Sequence, residues 1–163
     1  MRVVVLCLMA SLISAYAMAQ SSNIKSKATH YAIRLAPHQD LKKELLSFAA
    51  KHKIKAGFIA TCVGSLEQVS LRMANQEKGE ILLGHNEIVS LTGTLSDSSA
   101  HLHLSVSDST GRTIGGHLLE GALIYTTAEI VIGELEDLEF ERTTDLTYGY
   151  KELSVKKRKP KNK

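Results

Sequence analysis

Residues 101–118 read HLHLSVSDSTGRTIGGHL, and this stretch predicts a β-hairpin on which the rest of the fold depends. From His101 to Val106 polar and apolar residues alternate strictly, so one face of a strand carries histidine and the other carries leucine. Ser109-Thr110-Gly111 fits a three-residue hairpin loop in which Gly111 takes the left-handed conformation. The apolar face can enter the core, while the histidine face is left for solvent, a cavity or a subunit interface.

The length of the loop decides which residues of the two strands face each other. A three-residue loop places His117 directly opposite His103, with His101 on the diagonal. Directly opposed Cβ atoms lie about 5 Å apart and diagonal ones about 7 Å apart. A two-residue loop, Thr110-Gly111, would instead turn His117 to the other face of the sheet. The longer loop therefore predicts that three imidazoles converge on one face.

Three histidines arranged in this way form a candidate metal site. Neutral imidazole suits zinc, iron, nickel or copper, and three histidines leave one coordination position open for water or a ligand. Gly115 and Gly116 precede His117, and their missing side chains let a ligand or another backbone approach. The alternative is that these are ordinary sheet histidines, hydrogen-bonded to solvent or to the protein.

Patterns on both sides of the hairpin predict a single α+β domain. Leu41 to about His52 has the apolar spacing of a helix, and the Asp40 carboxylate can cap its first turn. Strands and helices do not alternate regularly, so we expect an antiparallel or mixed sheet with one main helix packed on it. Alternating or β-branched patterns predict strands at 29–36, 54–63, 66–74, 87–95, 102–106 and 121–135, and a last edge segment at 140–143.

The N-terminal residues have the features of a secretion signal. Residues 1–19 combine a short positive start, an apolar run and the small-residue pattern Ala17-Met18-Ala19, so we expect cleavage before Gln20. The apolar run is shorter than the about 20 residues of a membrane span, although an uncleaved anchor or a buried first helix is an alternative. We expect a secreted or periplasmic protein without membrane attachment after cleavage. An intracellular or nuclear protein is the alternative if the signal is not used.

Beyond the signal we expect a flexible leader at 20–28, the domain at 29–155 and a disordered basic tail at 156–163. The chain carries 20 basic and 17 acidic residues, but the tail KKRKPKNK holds six of the basic residues and no acid, so the body is mildly acidic. This distribution argues against nucleic-acid binding through the folded surface. It favours weak, salt-sensitive polyanion binding by the tail. The residues expected to bind are Lys156, Lys157, Arg158, Lys159, Lys161 and Lys163.

Catalytic chemistry has little support in the sequence. Once the signal is removed Cys62 is the only cysteine, which excludes an intrachain disulfide, and its apolar setting predicts a buried and unreactive thiol. A metal-dependent enzyme needs a general acid or base near the ion. Glu120 and Glu129 are candidates by nearness in sequence only, and ordinary solvated carboxylates are the alternative. The sequence contains no phosphate loop and no dinucleotide fingerprint.

Several motifs resemble those of a known family, and together they span residues 31–155. They are Tyr31-Ala32-Ile33-Arg34-Leu35, Gly64-Ser65-Leu66 with Leu71-Arg72, Val89 to Leu95, His101-Leu102-His103, Gly111-Arg112, Gly115-Gly116-His117-Leu118, Tyr125 to Glu129 and Gly149-Tyr150. This pattern resembles the plants-and-prokaryotes-conserved (PPC) domain in its prokaryotic branch. His38 departs from it, because the family usually has a small turn residue there.

The resemblance implies an α+β domain that assembles as a homotrimer. It also implies a histidine-lined metal site, which falls on His101, His103 and His117, with zinc as the expected ion. In land plants, similar domains follow AT-hook motifs in nuclear DNA-binding proteins, but residues 157–161 lack the glycine that an AT-hook needs. We therefore favour an exported, trimeric metal-containing module that binds an unknown small ligand. The alternatives are a DNA-binding or regulatory protein that uses the tail, and a metal-dependent enzyme of unknown reaction.

Overall fold

The computed structural model describes residues 24–159, so the predicted signal at 1–19 and the last residues of the tail lie outside it. No helix in the described range is long and apolar enough to cross a membrane. The elements are β1 (Ala28–Leu35), α1 (Leu41–His52), β2 (Gly57–Arg72), β3 (Glu80–Leu95), β4 (Ala100–Ser107), β5 (Thr113–Leu118), β6 (Leu123–Leu135), β7 (Leu138–Thr144) and β8 (Lys151–Lys157).

Helix α1 has the bounds that its apolar spacing predicts. The Asp40 carboxylate accepts hydrogen bonds from the backbone N–H groups of Lys42 and Lys43 at 3.0 and 3.1 Å, and so satisfies two donors of the first turn. The stripe of Leu41, Leu45 and Ala49 is fully buried against the sheet. The helix therefore supplies one side of the core, and the prediction of a single main helix is confirmed for the described residues.

Six strands form one antiparallel sheet in the order β1-β6-β2-β3-β4-β5. The last residues of β2 also pair with β5, where Leu71 lies opposite Leu118 and Arg72 lies opposite His117. This extra pairing closes β2, β3, β4 and β5 into a ring of strands. The antiparallel form of the predicted sheet is thus confirmed, and the ring closure, which joins residues far apart in sequence, was not predicted.

The predicted break at Gly64-Ser65 is wrong, because β2 runs through it as one long strand. Gly64 has a φ of 144°, and a Cβ there would lie 2.1 Å from the carbonyl oxygen of Thr127 on β6. The glycine therefore allows β6 to approach closely at an irregularity in the pairing, and does not end the strand. Strand β3 likewise begins at Glu80, earlier than the predicted Glu87.

The core is aliphatic, and the apolar face of β4 lies at its centre. Leu102, Leu104 and Val106 are 0 to 1% exposed. Burying a side chain of this size stabilises the fold by about 1.5–3 kcal/mol. The leucine face therefore anchors the hairpin in the core, and the histidine face remains available to bind a ligand.

The predicted start of disorder at Lys156 is wrong, because β8 extends through Lys157 and pairs with β7. Lys156 forms an ion pair with Glu141, and the Arg158 guanidinium lies 3.1 Å from a carboxylate oxygen of Glu134. Carboxylates of the acidic body hold the first basic residues in place. Of the other tail cations, Lys159 is the last described residue, and Lys161 and Lys163 lie outside the described range.

The end of the predicted flexible leader is also tied to the domain. The Asp137 carboxylate accepts a hydrogen bond from the Lys27 N–H group at 3.2 Å, and the Ser26 hydroxyl accepts one from the Asp137 N–H group at 3.0 Å. Strand β1 then begins at Ala28. These contacts attach Ser26 and Lys27 to the domain, while residues 20–23 lie outside the described range.

Candidate metal centre

The β4–β5 hairpin has the predicted three-residue loop and the predicted register. Gly111 has a φ of 83°, in the left-handed region that glycine adopts without strain. The Asp108 carboxylate holds the turn by accepting hydrogen bonds from the N–H groups of Thr110 and Arg112 at 2.8 and 3.1 Å. As a result, His103 lies directly opposite His117.

The three histidines converge as this register requires. Each of His101, His103 and His117 offers one ring nitrogen, and these atoms all lie within 4.8 Å of one another. The ring centroids are 5.0 to 5.7 Å apart. Two nitrogens on a tetrahedral zinc ion lie about 3.3 Å apart, so the rings would need to close by no more than about 1.5 Å. The donor set therefore fits one transition-metal ion.

His117 is the histidine whose environment most strongly favours the neutral form. Burial lowers its pKa to about 4, and the positive charges of Lys42 and Arg72 and the neighbouring rings of His101 and His103 act in the same direction. Its Nδ1 atom is buried without a hydrogen-bond partner among the described residues. A buried polar atom without a partner costs about 1–3 kcal/mol, so this nitrogen favours a ligand that can satisfy it.

His101 is shifted in the same direction. Burial lowers its pKa, with a further contribution from the Arg142 guanidinium, while the Glu152 carboxylate opposes the shift. Metal binding requires neutral imidazole. The protein thus holds two of the three rings in the protonation state that a metal ion needs.

A row of polar side chains crosses the ring of strands on the histidine face. Arg72 of β2 lies opposite His117 of β5, which lies opposite His103 of β4, which in turn lies opposite Thr92 of β3. Directly opposed residues point to the same face of a sheet. The side chain of Arg72 therefore projects from the same face of the sheet as the histidines, next to His117.

The C-terminal hairpin brings a second arginine to the same place. Arg142 of β7 donates hydrogen bonds to the Thr94 hydroxyl at 3.2 Å and to the carbonyl oxygen of Lys151 at 3.5 Å. Thr94 itself lies opposite His101 in the β3–β4 pairing. The β7–β8 hairpin is thus attached beside the histidines.

A cavity of about 750 Å³ lies between the histidine face, the segment after β2 and the β7–β8 hairpin. A smaller one of about 250 Å³ is lined by His101 and His103, and Arg142 and Glu152 line both. Sequence reasoning assigned no role to Arg72, Arg142 or Glu152. Arg72 belongs to a motif of the family, but no local pattern places these residues beside the histidines, because β2, β7 and β8 meet the hairpin only in the tertiary structure.

Of the two roles predicted for Gly115 and Gly116, approach by a ligand or by another backbone, Gly116 has the second. A Cβ on Gly116 would lie 2.8 Å from the carbonyl oxygen of Arg72, so its missing side chain makes room for the backbone of β2. Gly115 lies on the histidine face, where a Cβ would lie 2.6 Å from the Ser105 hydroxyl. Neither glycine lines the cavity.

The two glutamates considered as acid or base groups lie elsewhere. Glu120 is an exposed partner of Lys43 at 3.7 Å, and Glu129 lies on β6 opposite Arg34 of β1. Neither lines a cavity beside the histidines. Cys62 is buried, and its burial raises the pKa of the thiol to about 12, which confirms the prediction of an unreactive side chain.

The chain is similar to curated and solved proteins over most of its length. It is 48% identical over 127 residues to the bifunctional protein GlmU of Synechococcus sp. (strain JA-3-3Ab), covering 78% of this chain and 20% of that protein. It thus spans about a fifth of the length of that curated relative. A hypothetical protein from Salmonella enterica, whose structure is known, is 44% identical with a TM-score of 0.82, covering 83% of this chain and 98% of that one.

Two more distant structures share the fold at 23% identity and a TM-score of 0.69 each. One, from Archaeoglobus fulgidus, is described as a metal-containing protein and is matched over 80% of this chain and 96% of its own. The other, from Bacteroides thetaiotaomicron, is described as a candidate DNA-binding protein and is matched over 79% and 96%. The model of the Plants and Prokaryotes Conserved (PCC) domain, the family that the motifs resemble, matches residues 22–136, and this chain belongs to that family.

Proposed function

We propose that this protein is an exported, trimeric binding module in which His101, His103 and His117 hold one divalent transition-metal ion, zinc in the first place. The open coordination position of the ion receives a small ligand from the adjoining cavity. The observation that carries the proposal is the convergence of three ring nitrogens within 4.8 Å. The unpartnered Nδ1 atom of His117 and the description of the Archaeoglobus fulgidus protein as metal-containing support it further.

A bound ion would supply positive charge that polarises the ligand in the open position. The chain's own residues keep the donors ready for it. Burial holds His101 and His117 neutral, and the leucine face of β4 fixes the strand that bears two of the three rings. The site is therefore preorganised from the core outward.

Replacing His103 by Ala tests the metal site directly. We expect zinc binding, followed by calorimetry, to weaken by at least about a hundredfold, because two remaining imidazoles form a much poorer site. His85→Ala is the matched control, since His85 lies on β3, outside the cluster, and stacks on Tyr125. Unchanged zinc affinity in His103→Ala, or equal losses in both variants, would contradict the proposal.

Self-association is supported by apolar side chains on three adjacent strands of the monomer. Their exposed fractions range from 39 to 79%, and monomeric proteins rarely expose large contiguous apolar patches. Most of the apolar run in β6 packs into the core, so the exposed apolar side chains lie mainly on β3. The exposed residues are Val63, Ile81, Leu83, Val89 and Tyr125.

Export, assembly and metal content can be measured together. Native mass spectrometry with elemental analysis, applied to protein secreted by a bacterial host, is expected to give a trimer of chains that begin at Gln20 with one metal ion per chain. Intact Met1 in soluble intracellular protein would contradict export. A monomer at micromolar concentration would contradict assembly.

Tail-driven polyanion binding is the second candidate, supported by the basic C-terminal residues and by the description of the Bacteroides thetaiotaomicron protein. Because Lys156 and Arg158 are engaged with carboxylates, the deletion that tests it should remove only residues 159–163. We expect weak binding to heparin or duplex DNA that is lost on this deletion and falls steeply with salt. Sequence-specific DNA binding that survived the deletion would favour the regulatory alternative.

A metal-dependent enzyme, the third candidate, requires a general acid or base beside the ion. Glu152 is the carboxylate placed for this role, because it lines both cavities next to His101. Hydrolysis of an ester substrate by zinc-loaded protein, abolished in Glu152→Gln with zinc binding intact, would move this candidate to first place.

A further inference from the structure

We propose that the cavity beside the three histidines binds a small oxyanion, a phosphate or a carboxylate, through the guanidinium groups of Arg72 and Arg142. One oxygen of this ligand would reach the open position of the metal site. The inference rests on the function proposed above and deepens it, because it names the class of ligand that the same site takes.

Arg72 is placed beside the histidines by backbone pairing. It lies directly opposite His117, and its guanidinium donates one hydrogen bond, to the carbonyl oxygen of Gln76 at 3.2 Å. A guanidinium carries five N–H donors, so most of its donor capacity is left for a ligand. Within residues 24–159, Arg72 has no carboxylate partner within 4.0 Å.

Arg142 lines the same cavity and belongs to the β7–β8 hairpin. Its guanidinium is oriented by the Thr94 hydroxyl and the Lys151 carbonyl oxygen, which are uncharged acceptors that leave the positive charge uncompensated. It too lacks a carboxylate partner within 4.0 Å in the described part of the chain. The two arginines thus approach the histidine cluster from β2 and from β7.

The charge of the cavity favours an anion. Lys151 also lines it, together with the carboxylates of Glu77 and Glu152, so three cations face two anions. A divalent ion on the histidines would add two positive charges. Arginine matches the paired oxygens of carboxylate and phosphate with two parallel hydrogen bonds, and a metal ion in the open site takes a further oxygen.

The size of the cavity restricts the ligand to a small molecule. A volume of about 750 Å³ lies within the range of small-molecule sites in proteins. Polar side chains of Asn75, Gln76 and Ser99 line its wall and can hydrogen-bond to the rest of the ligand.

Calorimetric titration of the full mature chain, in zinc-loaded and metal-free form, tests the proposal. The probes are inorganic phosphate and succinate, which separate a phosphate ligand from a carboxylate ligand. We expect at least one probe to bind, more tightly with zinc present, and Arg72→Gln and Arg142→Gln each to weaken it by roughly tenfold or more. Arg34→Gln is the matched control, because Arg34 donates to the Thr127 hydroxyl at 2.9 Å on another part of the sheet.

The outcomes separate this inference from the function on which it rests. Binding of neither probe to either form, or equal affinity in the cavity variants and in Arg34→Gln, overturns the oxyanion site. Arginine-dependent binding to a chain that takes no zinc supports the oxyanion site and overturns the metal site.

If Arg142→Gln lowers the unfolding temperature, Arg142→Lys and Arg72→Lys provide the second test. Both keep the charge but lose the paired hydrogen bonds, so they should still weaken binding.

Discussion

The hairpins β4–β5 and β7–β8 have the same topology, but different interactions hold them in place. In β4, Leu102, Leu104 and Val106 are buried completely, whereas Leu153 and Val155 of β8 are 39 and 37% exposed. The second hairpin buries Leu138 at the start of β7, and polar contacts such as Arg142 with Thr94 and Arg158 with Glu134 attach the rest of it. Core packing thus fixes the β4–β5 hairpin, which carries the three histidines. Contacts nearer the surface fix much of the β7–β8 hairpin, which lines the cavity.

The largest expected difference between the hairpins is in their contribution to stability. We predict that Leu104→Ala lowers the free energy of unfolding by about 2–5 kcal/mol, because it leaves a cavity in the core. Leu153→Ala, the same substitution on the half-exposed face of β8, is expected to cost less than about 1 kcal/mol. Urea unfolding measures both. Equal losses would show that the β7–β8 hairpin belongs to the core after all.

The next effect concerns the protonation of His117 in the β4–β5 hairpin. The pKa of His117 is lowered to about 4 in the folded chain, so between pH 6.5 and 4 the unfolded chain binds more protons. Stability of the metal-free protein should therefore fall as the pH drops through this window. After allowance for solvent screening, the loss is about 1–2 kcal/mol.

Thermal unfolding of metal-free wild type and His117→Asn from pH 7 to pH 4 measures this effect. The wild type should lose more stability over the window than the variant does. Parallel curves would mean that His117 titrates like an exposed histidine, and that its buried Nδ1 is accessible to water in solution.

The smallest predicted effect compares the two loops. Gly111 and Gly149 have φ values of 83° and 75°, and each occupies the turn of its hairpin with no atom within 4 Å of a Cβ position. Replacing either by Ala is expected to cost about 1 kcal/mol of backbone strain. Only Gly111→Ala should lower zinc affinity, because only that loop sets His103 opposite His117. Equal zinc affinity in the two variants would show that the Gly111 loop does not determine the geometry of the metal site.

The parts of the fold that could be predicted are those with a local cause. The three-residue loop, the His103–His117 register and the bounds of α1 depend on neighbouring residues and on simple periodicity. Gly64 shows the limit of this reasoning. A glycine that looks like a strand break in sequence is the point where β6 approaches β2.

The C-terminal segment was predicted less well for a related reason. Lys156 and Lys157 follow no apolar pattern, so composition favoured disorder, but pairing with β7 places both in a strand. Their partners, such as Glu141, cannot be identified from spacing alone. The same holds for Arg72 and Arg142, whose place beside the histidines follows from ring closure and from the attachment of β7.

The sequence by itself determined the histidine face. Period two and a left-handed glycine in the loop are sufficient to bring His101, His103 and His117 together, because both act over a few residues. Only the tertiary structure decided what surrounds that face. The two arginines and Glu152 lie at least 25 residues from the nearest of these histidines along the chain, and their positions depend on packing of the whole sheet, which no local pattern encodes.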